Sequence, residues 1–180
     1  MYENLVHQEA GKSIASEIKK HSLPGSVLFA GPEASGKLTA ALETARILSC
    51  HNRHNPGKWT CECPSCLKHK ALTCTNLMLM GPRDCILEIS AARDTFIEAV
   101  KNNESYLTAS RYLFVRSIRK LTLRFNGILY RGESNLSKVG SIIEEINENL
   151  EKLDFPRNLP PQSEIEQICE DLIKLSLKLE

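Results

Sequence analysis

The chain has 180 residues, 42% of them hydrophobic, and a formal net charge of +1. This length suits one ordinary domain or a small domain with an appendage, and the near-neutral charge does not mark a nucleic-acid-binding protein. A secretory signal would need a positively charged start followed by an apolar stretch, and a membrane span would need a longer apolar run, so neither is expected. We therefore expect a cytoplasmic protein that does not associate with membranes.

The first elements predicted along the chain are a helix, a turn, a short strand and a second helix. Residues 3–20 have the apolar spacing of an amphipathic helix, and residues 21–25 have turn chemistry. Residues 27–30 form a short apolar run, as in a buried strand, and residues 37–48 are rich in the helix formers Ala and Leu. A strand, a glycine-bounded turn and a helix in this order are typical of a phosphate-binding loop.

The turn itself fits the pattern G-x-x-x-x-G-K, with Gly31, Gly36 and Lys37 at the fixed positions. Glycines let backbone N–H groups approach phosphate oxygens, the helix N-terminus adds positive potential, and the Lys37 ammonium would contact the terminal phosphates. The predicted site for ATP or ADP comprises Gly31, Pro32, Glu33, Ala34, Ser35, Gly36, Lys37, Leu38 and Thr39. The alternative is a glycine turn with an incidental lysine.

One position departs from the phosphate-loop pattern. Leu38 follows the lysine, where the pattern has a hydroxyl that binds magnesium. Thr39 comes one residue late, about 100 degrees around the helix, so it is not expected to reach the same ion. No later apolar run ends in paired acids, and no catalytic residue is predicted. Magnesium-dependent hydrolysis is therefore not indicated, and enzymatic activity stays open.

Seven cysteines are present, and five of them fall within residues 50–74. In a chain expected in the cytoplasm, this crowding favours metal binding over disulfides. Cys50, Cys61, Cys63 and Cys66 have the spacing C-x10-C-x-C-x2-C, and four thiolates form a closed, structural zinc site. The short gap before Cys63 leaves Cys61 open to replacement by Cys74, His51, His54 or His69. Scattered reduced thiols and a redox pair are the remaining alternatives.

Beyond the cysteines, we predict a short helix at 64–72, strands at 76–80 and 85–89, and a helix from a Ser90 cap to about residue 102. In residues 104–180, apolar residues recur at steps of three, four and seven, beginning with Leu107, Phe114, Leu121 and Ile128. This spacing predicts three amphipathic helices joined at 132–134 and 156–161. Residues 104–132 carry six Arg/Lys against one Glu, and residues 133–180 carry eleven Asp/Glu against five Lys/Arg. We expect these two segments to pack on each other; a basic face for nucleic acid is the alternative.

Four stretches in sequence order carry a resemblance to a known family: residues 3–8, residues 28–37, residues 45–50 and the cysteines of 61–66. They resemble the N-terminal part of bacterial clamp-loader subunits, the gamma/tau and delta-prime subunits of DNA polymerase III, over roughly residues 1–90. That family has a four-cysteine zinc module directly after the phosphate-loop helix of an AAA+ domain. The resemblance implies an α/β fold. Residues 1–103 would form a partial AAA+ domain, with a few-stranded parallel sheet and a zinc module at 50–74, and residues 104–180 would form a three-helix, bundle-like insertion.

The resemblance also implies a role in DNA replication. Leu38 favours the delta-prime type, in which the phosphate loop is often altered, over the gamma/tau type. A delta-prime-like subunit would contribute structurally, with nucleotide bound or with a degenerate phosphate loop, to a hetero-oligomeric ring of clamp-loader subunits. That ring loads the sliding clamp on primed DNA. The alternatives are an active clamp-loader ATPase of gamma/tau type and a zinc-dependent nucleic-acid-binding module.

Overall fold

The computed structural model of the protein describes residues 1–5, 8–52, 54–81, 85–125, 131–154 and 158–179. These residues divide into two compact units, Met1–Leu77 and Met78–Glu180. Within the described ranges the regular structure consists of helices. They are α1 (Glu9–Lys19), α2 (Lys37–Leu48), α3 (Pro64–Ala71), α4 (Cys85–Lys101), α5 (Leu107–Thr122), α6 (Leu136–Leu153) and α7 (Gln162–Leu179).

The predicted α/β fold with a parallel sheet is wrong, because the part of the chain that the structure describes contains no strand. Residues 27–30 and 77–80 are irregular, and the Leu28 side chain is 90% exposed. A strand is defined by hydrogen bonds to a neighbouring strand, and an apolar run without such a neighbour does not become one. These two segments therefore have strand-like composition without strand structure.

The third predicted strand, at 85–89, forms the beginning of α4 instead. Cys85 and Ile89 are both buried and lie four residues apart, which is the spacing of one helix face. Ser90 consequently lies inside the helix and does not cap it. A short apolar run cannot be assigned to a strand or a buried helix from its composition alone, and tertiary packing decided in favour of the helix.

The unit Met1–Leu77 is held together by α2, which packs against α3. Tyr2 is buried, and its hydroxyl lies 2.7 Å from the Thr44 hydroxyl on α2. Gly11 of α1 is also buried, and a Cβ atom there would lie 3.2 Å from the Tyr2 Cβ. The N-terminal residues are thus fixed against the helix that joins the predicted phosphate loop to the cysteines.

The unit Met78–Glu180 is a helical bundle made of α4, α5, α6 and α7. α4 packs against α5 and α7, and α6 packs against α7 and α5. The Phe96 and Phe114 rings stack in the core with their centroids 5.9 Å apart. The other core residues, apart from Cys85 and Ile89, are Val115, Ile118, Leu121, Ile146, Leu150, Leu153, Ile165, Ile168, Cys169, Leu172, Leu175 and Leu179.

Helices α5, α6 and α7 lie where the apolar spacing predicts helices, and α4 joins them in one core. Ile128 of the predicted helix stripe and residues 156–157 of the second predicted joint lie outside the described residues. The predicted division of the sequence at residue 103 stays a prediction. None of the described helices combines the length and the apolarity needed to cross a membrane.

Basic side chains of α5 contact the end of α6, as the charge distribution predicts. The buried Arg111 donates from Nε to the Leu153 carbonyl at 2.6 Å and from Nη2 to the Asp154 carbonyl at 2.7 Å. Arg119 pairs with the Asp154 carboxylate, and Lys120 pairs with Glu88 of α4. These cations bind carbonyl and carboxylate oxygens that the bundle itself supplies at the end of α6 and on α4.

Candidate metal centre and phosphate loop

The four predicted cysteine ligands lie between the end of α2 and the first turn of α3. Cys50 comes two residues after the end of α2, and its backbone N–H donates to the Ile47 carbonyl at 3.1 Å. Cys61 donates in the same way to the Lys58 carbonyl at 3.1 Å. Cys63 is the N-cap of α3, and its sulfur accepts from the Cys66 N–H at 3.5 Å. Pro64 suits the first turn of this helix, because proline lacks a backbone N–H and the first turn has no acceptor within the helix for one.

The structure brings the sulfur atoms of Cys50, Cys61, Cys63 and Cys66 within 4.8 Å of one another. The sulfurs of Cys50 and Cys61 lie 3.8 Å apart. A tetrahedral zinc ion with Zn–S bonds of about 2.3 Å separates its thiolates by about 3.8 Å, so this spacing fits a tetrahedral ion. The four cysteines could therefore hold a metal ion, and Cys61 belongs to the group despite its short spacing to Cys63.

The alternative ligands lie outside this group of four among the described residues. Cys74 lies beside His69 instead, with its sulfur 3.6 Å from the His69 Nδ1. Burial and the nearby Arg46 guanidinium lower the pKa of His69. His51 and His54 are exposed. The structure thus gathers four sulfurs and no histidine into one set.

The surroundings divide the thiols into two classes. Burial opposes ionisation of Cys63, but hydrogen bonds from the Cys66 and His51 backbones and from neighbouring thiols outweigh it and lower its pKa to about 6. Burial also opposes ionisation of Cys50, but hydrogen bonds from the Gly57 and Asn52 backbones and from neighbouring thiols outweigh it and lower the pKa of Cys50. Burial, followed by contacts with Cys50 and Cys63, raises the pKa of Cys66 to about 12. A divalent cation would draw all four into the thiolate form.

Sequence reasoning missed two residues of α2 that lie against the cysteines. Arg46 and Glu43 are both buried and form a salt bridge, with 2.5 Å between Nη2 and Oε1. Arg46 Nη1 also lies 3.1 Å from the Cys66 sulfur. The signal in the sequence was an i, i+3 charge pair placed one turn before Cys50, on a helix otherwise composed mainly of Ala, Leu and Thr.

The predicted phosphate loop leads directly into α2. Gly36 has φ +79° and precedes the first helical residue, Lys37, so a left-handed backbone turns the chain into the helix. The Lys37 ammonium donates to the Gly31 carbonyl at 2.9 Å and to the Pro32 carbonyl. It also lies 3.4 Å from the Ser35 hydroxyl. The lysine that would contact a phosphate thus closes the loop upon itself.

The space beside the loop is small. A cavity of about 120 Å³ is lined by residues of α1 and the loop, including Leu5, Ile14 and Phe29. Small-molecule sites usually measure about 300–1,000 Å³, so this cavity does not enclose a nucleotide. Leu38 is half-buried and Thr39 is exposed, and neither places a hydroxyl where the pattern has a magnesium ligand.

Comparison with known proteins yields one match. The family model described as "DNA polymerase III, delta subunit" matches residues 6–129. The matched range includes the phosphate loop, the four cysteines and helices α1 to α5, so it extends past the predicted resemblance of residues 1–90. No curated protein and no solved structure matches the chain.

Proposed function

Because the chain belongs to the DNA polymerase III delta subunit family, we propose that it is a clamp-loader subunit of delta-prime type whose role is structural. In this proposal the four cysteines hold a structural zinc ion, and the phosphate loop is degenerate. The partners are other clamp-loader subunits in a hetero-oligomeric ring, with the sliding clamp and primed DNA as indirect partners. Membership of a replication family also supports the predicted cytoplasmic location.

The cysteine group is the observation that carries the proposal. Four sulfurs within 4.8 Å of one another follow α2 directly, inside the range that the family model matches. A four-thiolate site has no open position for substrate, so an ion there would serve to order the surrounding chain. The residues near it, 51–60, contain few large apolar side chains, and a bound ion would replace the missing core.

The conformation of the phosphate loop supports the degenerate form over an active ATPase. Lys37 donates to two carbonyls of its own loop, and Leu38 supplies no magnesium ligand. Only the glycines, the lysine and the helix N-terminus of the pattern are present. We therefore propose that Lys37 stabilises the entry to α2 and that this subunit contributes no ATP hydrolysis to the ring.

The metal part of the proposal is tested by zinc analysis of the full chain, purified without chelators. We expect about one zinc per chain for the natural sequence and a loss of zinc in Cys66→Ser. The control is Cys169→Ala, which changes a buried cysteine of α7 outside the group. Less than about half an equivalent of zinc in the natural protein would contradict the proposal.

The assembly part is tested by mixing the protein with the remaining clamp-loader subunits of its own source. We expect a stable complex on gel filtration that loads the sliding clamp on primed circular DNA, and no loading when this chain is left out. Cys66→Ser should reduce complex formation, and Cys169→Ala should leave it unchanged. Clamp loading at the full rate without this chain would contradict a role in the ring.

The loop is tested with Lys37→Ala, and Lys12→Ala of α1 is the control because Lys12 is exposed and pairs only locally with Glu9. We expect neither variant to change ATP turnover of the assembled complex. A fall in ATP turnover in Lys37→Ala, without a fall in Lys12→Ala, would instead support the active ATPase of gamma/tau type. The zinc-dependent nucleic-acid module has less support, because Arg111 and Arg119 contact α6 and its end.

A further inference from the structure

The guanidinium of Arg46 uses all of its donors within the unit Met1–Leu77. A guanidinium has five N–H groups, and none can accept a hydrogen bond. Arg46 Nε donates to Glu43 Oε2 at 2.8 Å, and Nη2 donates to Glu43 Oε1 at 2.5 Å and to the Gly57 carbonyl at 2.8 Å. Nη1 donates to the Lys58 carbonyl and to the Cys66 sulfur, both at 3.1 Å. Donors and acceptors thus match one to one.

Burial makes this arrangement specific. Arg46 is 1% exposed and Glu43 is 3% exposed. A buried charge is costly unless it is paired and hydrogen-bonded, so alternative orientations of the guanidinium are strongly disfavoured. The two-point contact with the Glu43 carboxylate fixes the plane of the group, since the bidentate geometry allows one orientation. With that plane fixed, Nη1 is directed at the Cys66 sulfur.

The two carbonyl contacts restrain the segment between the cysteines. Gly57 and Lys58 lie between Cys50 and Cys61, and the Lys58 carbonyl also accepts from the Cys61 N–H at 3.1 Å. The Trp59 ring covers the guanidinium, with its centroid 5.5 Å from Arg46 Cζ. One side chain of α2 therefore touches the backbone leading to Cys61 and the sulfur of Cys66.

We propose that Arg46 is a positioning residue of the metal centre, one that arranges the cysteines before an ion binds and donates an N–H···S hydrogen bond to the Cys66 thiolate afterwards. This inference rests on the proposed metal site. The thiolates around a divalent ion carry excess negative charge, and a charged N–H donor stabilises it. Glu43 orients the donor. A lysine cannot replace Arg46, because one ammonium has three donors and no planar fork.

The first test compares zinc affinity of the full-length natural protein with Arg46→Lys, by competition with a chromophoric chelator. We expect affinity to fall about ten- to a hundredfold, as is typical for loss of a residue that orients metal ligands. Arg116→Lys in α5 is the matched control, since Arg116 contacts Tyr112 in the other unit, and its affinity should be unchanged. Equal affinity in Arg46→Lys and the natural protein would overturn the inference.

A spectroscopic readout separates positioning from mere folding. Cobalt(II) in a thiolate site shows sulfur-to-metal charge-transfer bands, and a hydrogen bond to sulfur lowers the energy of the donating electrons. We expect the band of Arg46→Lys to shift to lower energy with the tetrahedral d–d bands retained. Retained d–d bands with an unshifted charge-transfer band would show that Arg46 does not bond the sulfur.

A second measurement needs no variant, in case Arg46→Lys does not fold. The natural protein is labelled with 15N and loaded with 113Cd, and scalar coupling is sought between the metal and the Arg46 Hη protons. We expect a slowly exchanging Hη resonance coupled to 113Cd through the Cys66 sulfur. A four-thiolate cadmium signal without this coupling would overturn the role of Arg46 and leave the metal site standing. Failure of the natural protein to bind zinc or cadmium would overturn both.

Discussion

Gly57 is the residue at which the segment between Cys50 and Cys61 turns back towards α2. Its φ is +75°, in the left-handed region that side chains rarely adopt. A Cβ atom added there would lie 2.7 Å from Ile47 Cγ1 and 3.0 Å from Met1 Cγ. Its carbonyl accepts from Arg46 and its backbone contributes to the lowered pKa of Cys50. A single glycine thus combines a backbone requirement, a steric requirement and two contacts around the cysteines.

Gly57→Ala is expected to destabilise the unit Met1–Leu77 by about 2 kcal/mol or more, from backbone strain together with overpacking against Ile47. The measurement is urea unfolding of the zinc-loaded protein, followed by Trp59 fluorescence. Gly25→Ala is the control, since nothing lies within 4 Å of a Cβ atom there, and its effect should be within about 0.5 kcal/mol. Equal stability of the two variants would contradict this account of the turn.

The thiols should differ in reactivity when no metal is bound. With a pKa of about 6, Cys63 is mostly thiolate near pH 7, whereas Cys66 has a pKa of about 12 and stays protonated. Iodoacetamide should therefore modify Cys63 faster than Cys66, and the rate at Cys63 should fall as the pH decreases through about 6. Peptide mass spectrometry after brief labelling measures both rates.

The same pKa has a consequence for stability, with a definite sign. A folded-state pKa below the unfolded value stabilises the fold above the unfolded pKa, and this contribution is lost as the pH falls towards the folded pKa. For Cys63 the loss occurs between about pH 9 and about pH 6.

The control for the labelling experiment is the protein in denaturant, because unfolding should equalise the modification rates of Cys63 and Cys66. Equal rates in the folded, metal-free protein would contradict the predicted difference.

At the scale of elements, α4 shows how packing selects helix over strand. Its buried residues Cys85, Ile89, Phe96 and Ala99 lie at spacings of three, four and seven, and they form one face directed at the core of the bundle. Phe96 stacks on Phe114 of α5. If residues 85–89 formed a strand, alternate side chains would point to opposite faces. The strand would also have to end before the helix that carries Phe96, so Cys85 and Ile89 would no longer lie on the same helix face as Phe96.

Phe96→Ala is expected to lower the free energy of unfolding of the bundle by about 3–5 kcal/mol, through lost burial and a residual cavity. Leu87→Ala on the same helix is the matched control, because Leu87 is 72% exposed and its replacement should cost little. Urea unfolding monitored by far-ultraviolet circular dichroism measures both. A large loss for Leu87→Ala, with a small one for Phe96→Ala, would indicate that α4 presents the opposite face to the core.

At the scale of the whole molecule, the described residues divide between a unit that contains the four cysteines and a unit with its own apolar core. Every residue of that apolar core lies between Cys85 and Leu179. The four cysteines lie within residues 50–66. This segment has few apolar side chains, so a bound ion would stabilise it in place of an apolar core. The two units are therefore expected to depend differently on metal.

Removal of metal from the natural protein by a chelator should increase hydrogen exchange in residues 50–74 and leave protection of α4 to α7 largely unchanged. Hydrogen exchange measured by mass spectrometry before and after chelation gives the comparison, and re-addition of zinc should restore protection. Unchanged exchange in residues 50–74, or equal loss of protection along the entire chain, would contradict the assignment of the ion to the first unit alone.

Local patterns in the sequence identified the amphipathic helices and the four cysteines that the structure brings together. Helices α2, α3, α5, α6 and α7 follow from helix formers, a proline start and apolar spacing, which depend on residues a few positions apart. The cysteine spacing likewise limited the set of ligands to a short segment. The apparent strands at 27–30, 76–80 and 85–89 failed as predictions because apolar composition does not specify a hydrogen-bonding neighbour.

The sequence by itself thus determined which residues could form helices and which could bind a metal, because both properties are local. Only the tertiary structure decided that residues 85–89 join a helical core, that Cys61 and not Cys74 completes the group of four, and that Arg46 and Lys37 donate where they do. Each of these outcomes depends on groups that are distant in sequence or on the orientation of a long side chain. The Gly57, Lys58 and Cys66 partners of Arg46 lie eleven to twenty residues away, and the neighbour of an apolar run is likewise not encoded in its own vicinity.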